Sequence, residues 1–387
     1  MKILRIIASV DPRTGGPIEG LKLSSLALER MGHSTEVVSL DDPKSPHVLN
    51  FQYPVFGAGP VKFKKYAPNL VRWIKNNAHR FDVAIIHGLW NYASIGGWMG
   101  LRNTGLPYVV FTHGMLDPWF RKRYPIKHLI KQAFWSVVQG KVLRDASMVL
   151  FTSEEEQKLA KGVFLGYKYK GKSISYGVSD PPLFNVTQEK AFRSLVPDLS
   201  NKPYILFLSR IHEKKGCDLL LDAFFRISRV RPDLDLVVAG PDRDGLTCEL
   251  RKKSVELGLG GRVHWPGMLQ GDAKWGSFYC AEVFILPSHQ ENFGIVVAES
   301  MACGTPVLIT NKVNIWHEVE RSGGGYVDDD DFQGILRLVE RWIACDELDK
   351  KKMSNSARKG YESNFTIEFA ARDLLDVLIV CKDEVVK

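Results

Sequence analysis

No cysteine occurs before Cys217, and the six that follow (Cys217, Cys248, Cys280, Cys303, Cys345 and Cys381) include no close pair. That excludes a metal knuckle and leaves free, mostly buried thiols in a reducing compartment as the expectation. No apolar run reaches the roughly eighteen residues that a membrane span needs. Met1-Lys2-Ile3-Leu4-Arg5-Ile6 runs straight into a strand pattern with no small-residue cleavage site, so no signal peptide is expected and the cytoplasm is the expected location. The three spaced glycines of the dinucleotide fingerprint are missing, which counts against a nicotinamide-dependent dehydrogenase. No nucleic-acid motif is found, and the aromatic residues are scattered through apolar runs rather than interleaved with Arg and Lys, so a nucleic-acid partner is not expected.

What is present fits a globular protein of two domains. The 387 residues, 45% hydrophobic and 25% charged, exceed one ordinary core and suit two domains of roughly 200 residues each. Lys and Arg outnumber Asp and Glu by 52 to 44, a net charge of +8. The excess favours anionic partners, and on charge alone nucleic acid, an acidic membrane surface and a phosphorylated metabolite all stay open.

One stretch organises the rest. Val283-Phe284-Ile285-Leu286-Pro287 reads as a buried strand, and Ser288 to Pro306 continues it as a loop and a helix that Gly304 and Pro306 terminate. From Ile295 to Cys303 nearly every side chain is apolar or small, so the helix should be covered on most sides. Glu299 is the exception, and burying a carboxylate there costs several kcal/mol unless something hydrogen-bonds it. Glu291 stands eight positions earlier, which at about 1.5 Å per residue separates the two acids by roughly 12 Å. That span is too long for a shared metal or proton. It suits the two ends of one elongated ligand, with the amides of Phe293, Gly294 and Ile295 between them, where an anion is favoured. A sugar nucleotide has that shape. The competing reading is one capping Glu and one Glu paired with a neighbouring Lys or Arg.

From the Pro-Ser before it to Ala302-Cys303-Gly304-Thr305-Pro306-Val307 after it, this stretch resembles the Glu-seven-residues-Glu motif of the retaining GT-B glycosyltransferases, family 4. The resemblance implies an α/β fold of the GT-B type, two Rossmann-like domains facing a central cleft: an acceptor domain over 1–180, a sugar-nucleotide donor domain over 181–365, and a C-terminal helix over 366–387 crossing back to the first.

Ile3 to Ala8 is a first strand, Asp11 to Pro17 a turn, and Leu21, Leu23, Leu26, Leu28 and Met31 line an amphipathic helix before a second strand at Thr35 to Leu40. Gly15 and Gly16 let backbone approach a ligand; by resemblance they match the family's glycine loop facing the donor phosphates. Two basic stretches follow. Lys62, Lys64, Lys65, Arg72, Lys75 and Arg80 alternate with Phe63, Tyr66, Leu70, Val71, Trp73 and Ile74, and Lys127, His128 and Lys131 stand among Ile126, Leu129, Ile130, Phe134 and Trp135. Such helices are either solvated surface helices or helices docked on anionic lipid. Relatives that act on lipid-linked acceptors make peripheral contact with the inner face of a membrane a second expectation.

Asp82 to His87 and Pro107 to His113 are further strands, each ending in a histidine followed by glycine. Ligands of open α/β sheets gather at the carboxyl ends of strands, which places both histidines at a site mouth. The second resembles the family's Thr-His-Gly segment, which implies that His113 lies beside the transferred sugar, with His87 and Asn91 nearer the acceptor. Gly177 to Phe184 is a linker, similar to the family's inter-domain segment except that Tyr176 stands where asparagine is usual. The second half restarts with a strand at Tyr204 to Ser209, then Arg210-Ile211-His212-Glu213-Lys214-Lys215-Gly216 and a helix. Arg210 and Lys215 suit a diphosphate, one as a fork and one as a point charge. They match the family's Gly-Arg-four-residues-Lys-Gly motif with Ser209 replacing the glycine. Gly240 and Pro241 end the next strand, and Gly267 and Met268 the one after; by resemblance these lie at the donor, Gly267 with backbone at the nucleobase and Met268 stacked on it. Asp328 to Asp331 precede a helix, and the helix dipole explains them more simply than a metal site does.

The implied activity is metal-independent transfer of a hexose, glucose by preference, from a nucleotide-diphosphate sugar such as UDP-glucose, with retention, to a saccharide or lipid-linked acceptor in exopolysaccharide or glycoconjugate biosynthesis. His113, Arg210, Lys215 and Glu291 are the catalytic candidates. Gly15, Gly16, Ser209, Gly240, Pro241, Gly267, Met268, Asn292, Phe293, Gly294, Ile295 and Glu299 are assigned to the donor, and His87 and Asn91 to the acceptor, with no cofactor. A sugar-nucleotide epimerase of the same fold and a non-catalytic sugar-nucleotide sensor are the alternatives.

Overall fold

Short apolar runs alternate with longer amphipathic segments along the chain, and the computed structural model, which describes residues 1–59, 66–242 and 244–386, shows them as strands and covering helices. The chain forms two units. The first comprises Met1–Gly177 and the segment from Ile367 on; the second is Val178–Thr366.

The first unit holds β1 (Lys2–Ile7), β2 (Ser34–Ser39), β3 (Val55–Gly57), β4 (Val83–His87), β5 (Tyr108–Phe111), β6 (Met148–Phe151) and β7 (Gly171–Ser173) in the order β3-β2-β1-β4-β5-β6-β7. Every pairing is parallel. Parallel sheets are covered on both faces, which is why their strands read as unbroken apolar runs. On one face Leu4, Ile6, Ala84, Ile86 and Val110 join a core with Leu70, Ile74, Trp98 and Trp135. On the other, Ile3, Val83, Ile85 and Val109 pack with Ala27 and Leu28 and with Ala371, Leu374 and Leu378 of the last helix, Ile367–Val386. That last helix therefore belongs to the first unit and lies against the helix Gly16–Arg30. Tyr176 has a physical reason: its hydroxyl donates to the Gly16 carbonyl at 2.9 Å, and its ring occupies the space that a Cβ on Gly20 would need.

The second unit holds β8 (Tyr204–Leu208), β9 (Asp235–Ala239), β10 (Val263–Gly267), β11 (Val283–Leu286), β12 (Val307–Thr310) and β13 (Gly325–Asp328), parallel throughout, in the order β10-β9-β8-β11-β12-β13. Each sheet changes winding direction once, between β1 and β4 in the first and between β8 and β11 in the second. In sheets of this type ligands gather at the carboxyl ends of the strands on either side of such a point.

The two basic stretches differ. Lys62, Phe63, Lys64 and Lys65 lie outside the described residues. Leu70 to Lys75 of the remainder lie in the helix Pro68–Asn77, whose Leu70 and Ile74 are buried, so its apolar face is used. The helix Pro125–Phe134 buries none of its residues. It runs into a π-helical turn, Trp135–Gln139, that sequence periodicity does not show.

Candidate functional site

In the second unit both loops at the switch point carry candidate residues. After β8, Glu213–Lys215 form a short 3-10 turn, and Gly216 takes the left-handed conformation (φ 64°) before the helix Cys217–Ile227 begins. A Cβ at Gly216 would collide with the Pro287 carbonyl oxygen, so glycine lets the two loops touch. After β11, the His289 amide donates to the Lys214 carbonyl at 2.7 Å, tying one loop to the other. This contact brings the Lys215 ammonium onto the Glu291 carboxylate. Lys215 is only 5% exposed, whereas the Glu291 side chain keeps 22% of its exposure, so removing Glu291 would leave a buried ammonium unpaired at a cost of about 3 to 5 kcal/mol. Glu291 also accepts from the Asn292 amide at 3.1 Å. Arg210, five positions before Lys215, is exposed, and no acceptor takes its guanidinium among the described residues.

The helix of the motif spans Ile295–Ala302, starts from Gly294 in the left-handed region (φ 77°) and has no side-chain cap. Phe293 packs edge-on against Phe365, ring centres 5.7 Å apart. Glu299 is 9% exposed and accepts from Lys274 Nζ at 2.6 Å. Its buried Oε2 has no partner among the described residues. Burial raises its pKa, against the pull of Lys274. Each acid of the motif thus carries a lysine, but neither lysine is a sequence neighbour: they lie 76 and 25 positions away. Both acids are thus paired with a lysine, as the competing reading has it for one of them, neither by an i,i+4 contact, and Glu299 keeps one enclosed oxygen without a partner among the described residues.

The other donor candidates end neighbouring strands. Ser209 donates its amide to the Ala239 carbonyl at 3.1 Å, Gly240 donates to the Gly267 carbonyl at 2.8 Å, and Ile211 donates to the Pro241 carbonyl at 3.0 Å. Gly240 has no room for a side chain beside the Ser209 carbonyl. Met268 is exposed next to Gly267. The aspartate run is spent locally: Asp331 caps the helix Phe332–Ala344 through the Gly334 amide at 2.7 Å, Asp328 pairs with Arg337, Asp329 accepts from Asn311 and Asp330 from His289.

In the first unit Gly15 (φ 90°) leads directly into the helix Gly16–Arg30 after β1. His87 is the last residue of β4. His113 lies two residues beyond β5 in the left-handed region (φ 50°), so it sits on a turn rather than a strand end. That turn is held by Glu156. One of its oxygens accepts from the Thr112 hydroxyl at 2.5 Å and the Gly114 amide at 2.7 Å, and the other from the Thr152 amide at 2.7 Å and hydroxyl at 2.8 Å. His87 Nδ1 lies 3.1 Å from His113 Nε2, and the rings stack at 5.4 Å. Burial, with the nearby Arg5 cation, lowers both pKa values, that of His113 to about 4. Asn91 caps the helix Tyr92–Leu101, accepting from Ser94 at 3.2 Å and donating to the Leu89 carbonyl at 3.1 Å. The π-helical turn aims buried Gln139 at this loop, where it accepts from the Trp90 amide at 3.0 Å and the Ser94 hydroxyl at 3.1 Å.

Known proteins resemble this chain in sequence and in fold. The family described as Glycosyl transferases group 1 matches residues 188–360, and the Glycosyl transferase 4-like domain matches 15–166. The lipopolysaccharide core biosynthesis glycosyltransferase LpsE of Rhizobium meliloti is 32% identical over 42% of this chain, which spans 45% of that relative's length. An uncharacterized glycosyltransferase of Methanocaldococcus jannaschii is 25% identical over 97% of both chains. Among solved structures, HepE of Anabaena in complex with UDP and glucose superposes with a TM-score of 0.76 at 20% identity, covering 98% of this chain and 100% of that one. Sucrose-phosphate synthase from Thermosynechococcus elongatus gives 0.77 at 18% identity, covering 99% and 100%. These likenesses show the GT-B fold.

Proposed function

The chain belongs to the group 1 glycosyl transferases, and from that premise we propose that it moves a hexose from a nucleotide-diphosphate sugar to an acceptor hydroxyl. The observation that carries this reading is the Lys215–Glu291 pair at the switch point of the second sheet, beside Arg210, which has no partner among the described residues, and an uncapped helix start. Arg210 and Lys215 stabilise the charge that grows on the leaving diphosphate, as a metal does elsewhere. Glu291 keeps lone pairs beyond those given to Lys215 and the Asn292 amide, enough to orient sugar hydroxyls, and the second oxygen of Glu299, without a partner among the described residues, serves the ribose. Met268 stacks on the base. The bond from the anomeric carbon to the phosphate oxygen breaks as the bond to the acceptor oxygen forms on the same face, and the acceptor proton passes to the leaving phosphate. UDP-glucose is the preferred donor, supported by the UDP-glucose complex of HepE. A saccharide or lipid-linked acceptor in cell-surface polysaccharide synthesis is supported by the lipopolysaccharide relatives. In the first unit His113 meets the sugar, while His87 and Asn91, both engaged in internal hydrogen bonds, shape the wall toward the acceptor.

Incubation with radiolabelled UDP-glucose tests the activity. Slow hydrolysis or transfer that persists in a chelator is the expected outcome; nucleotide recovered bound and unchanged, or an epimerised sugar, contradicts it.

Peripheral membrane contact belongs to the same proposal. Ile126, Leu129 and Ile130 are 75%, 68% and 68% exposed on a helix with Lys127 and Lys131, next to exposed Val137 and Leu165. Exposed apolar residues rimmed by cations suit an anionic bilayer surface. The chain is expected to sediment with phosphatidylglycerol vesicles, and an Ile126→Glu, Ile130→Glu double variant to stay in the supernatant; equal sedimentation of both removes the helix from this role. No described helix is long and apolar enough to cross a membrane.

A further inference from the structure

The first unit buries a cation that has no carboxylate partner among the described residues. Arg5 interrupts the apolar run of β1 and is 1% exposed. Its Nη2 donates to Ser24 Oγ at 3.1 Å and its Nη1 donates to His87 Nε2 at 3.4 Å, and Nε has no partner among the described residues. The Ser24 hydroxyl donates to the Gly20 carbonyl at 2.7 Å, which leaves its oxygen to accept.

A guanidinium carries donors only. His87 Nε2 facing it must therefore accept, and the proton of a neutral His87 sits on Nδ1. That Nδ1–H faces His113 Nε2 at 3.1 Å, which must accept in turn, so the proton of a neutral His113 sits on its own Nδ1. Any other assignment, including an imidazolium at either ring, sets two N–H groups against each other at one of the two contacts. His113 Nδ1 meets no acceptor among the described residues, and the residue as a whole is part-exposed.

We infer that Arg5 is a positioning residue that sets the proton on His113 Nδ1 through His87, so that His113 meets its sugar ligand as a hydrogen-bond donor. The ligand rests on the proposed function; the tautomer does not. The cavity bounded by Arg5, Ser24, His87, His113 and Tyr176 has about 20 Å³, room for about one water, so Arg5 acts on a sugar only through the two rings. A histidine set this way takes no proton from the acceptor, which leaves that task to the departing phosphate. Tautomers are set by the hydrogen bond the other nitrogen makes, and here two such bonds stand in series behind a buried charge.

Long-range nitrogen–proton spectra of the full chain labelled with ¹⁵N-histidine, assigned through His87→Gln and His113→Gln, test the inference. Both rings are expected to show protonated Nδ1 and bare Nε2. A His113 protonated on Nε2, alone or as imidazolium, overturns it. In Arg5→Met the signals of both rings should become tautomer mixtures and sugar transfer should fall by roughly 10-fold or more, the loss of one hydrogen bond. Arg5→Lys, which restores a donor, should restore both signals and transfer. An Arg5→Met protein with unchanged tautomers contradicts the inference, and if that variant does not fold, the spectrum of the unaltered chain decides. A chain with the expected tautomers that turns over no sugar nucleotide overturns the proposed function and leaves the hydrogen-bond chain standing.

Discussion

Arg210→Ala is expected to raise the barrier to sugar transfer by about 2 to 4 kcal/mol, between roughly thirty- and a thousand-fold in rate. The reasoning rests on the contrast between the two cations of one loop. Lys215 is buried and neutralised by Glu291 before any ligand arrives. Arg210 is exposed and unpaired among the described residues, so its charge is uncommitted and its fork suits two phosphate oxygens. An interaction that strengthens as charge moves onto the diphosphate lowers kcat when it is lost, whereas uniform binding appears in KM. The expected result is a kcat loss with a smaller change in KM for the donor, read from initial rates of UDP release. Unchanged turnover removes Arg210 from the mechanism. The fold should be unaffected, since an exposed arginine without a partner contributes little to stability.

The second large effect concerns the other unit. Glu156 is 3% exposed and accepts four hydrogen bonds, two of them from the residues on either side of His113. Glu156→Ala removes the shared acceptor of two amides and two hydroxyls, of which the Thr112 hydroxyl also reaches the Leu150 carbonyl at 3.2 Å, and opens a void, which together should cost about 3 to 5 kcal/mol. Glu156→Gln keeps the volume but replaces one acceptor oxygen with an NH2 facing two donors, at about 1 to 3 kcal/mol. Denaturant unfolding should show the loss in the transition of the first unit only. Because the His113 turn depends on the same carboxylate, the Gln variant should also lose transfer activity while still binding UDP. Full activity and stability in both variants would mean that the four contacts carry no weight.

The alternation of apolar runs and amphipathic segments made the two α/β halves legible, because parallel strands buried on both faces leave an unmistakable pattern. The run Val283 to Leu286 is strand β11, and the covered helix after it begins at Ile295 as its composition suggests. Spacing along the chain was less informative about pairs. Lys274 is one lysine on an ordinary helix, and nothing within its own turn indicates that it meets Glu299. The Lys215–Glu291 pair arises because Gly216 lets two loops touch, a property of the folded sheet rather than of either segment. His113 falls on a left-handed turn because Glu156, 42 positions from Gly114, holds it there. The π-helical turn that aims Gln139 was hidden because one inserted residue barely perturbs helical periodicity. Arg5 did leave a signal: a charge in the middle of an apolar strand demands a polar partner inside.

The most direct test of the account is a crystal structure of the full chain with UDP bound. The diphosphate is expected within hydrogen-bond distance of Arg210 and Lys215, with the amides from Gly294 on one side and the ribose hydroxyls at the Glu299 carboxylate. UDP seated elsewhere, with Arg210 in solvent and no contact to either lobe of the Lys215–Glu291 pair, would contradict it.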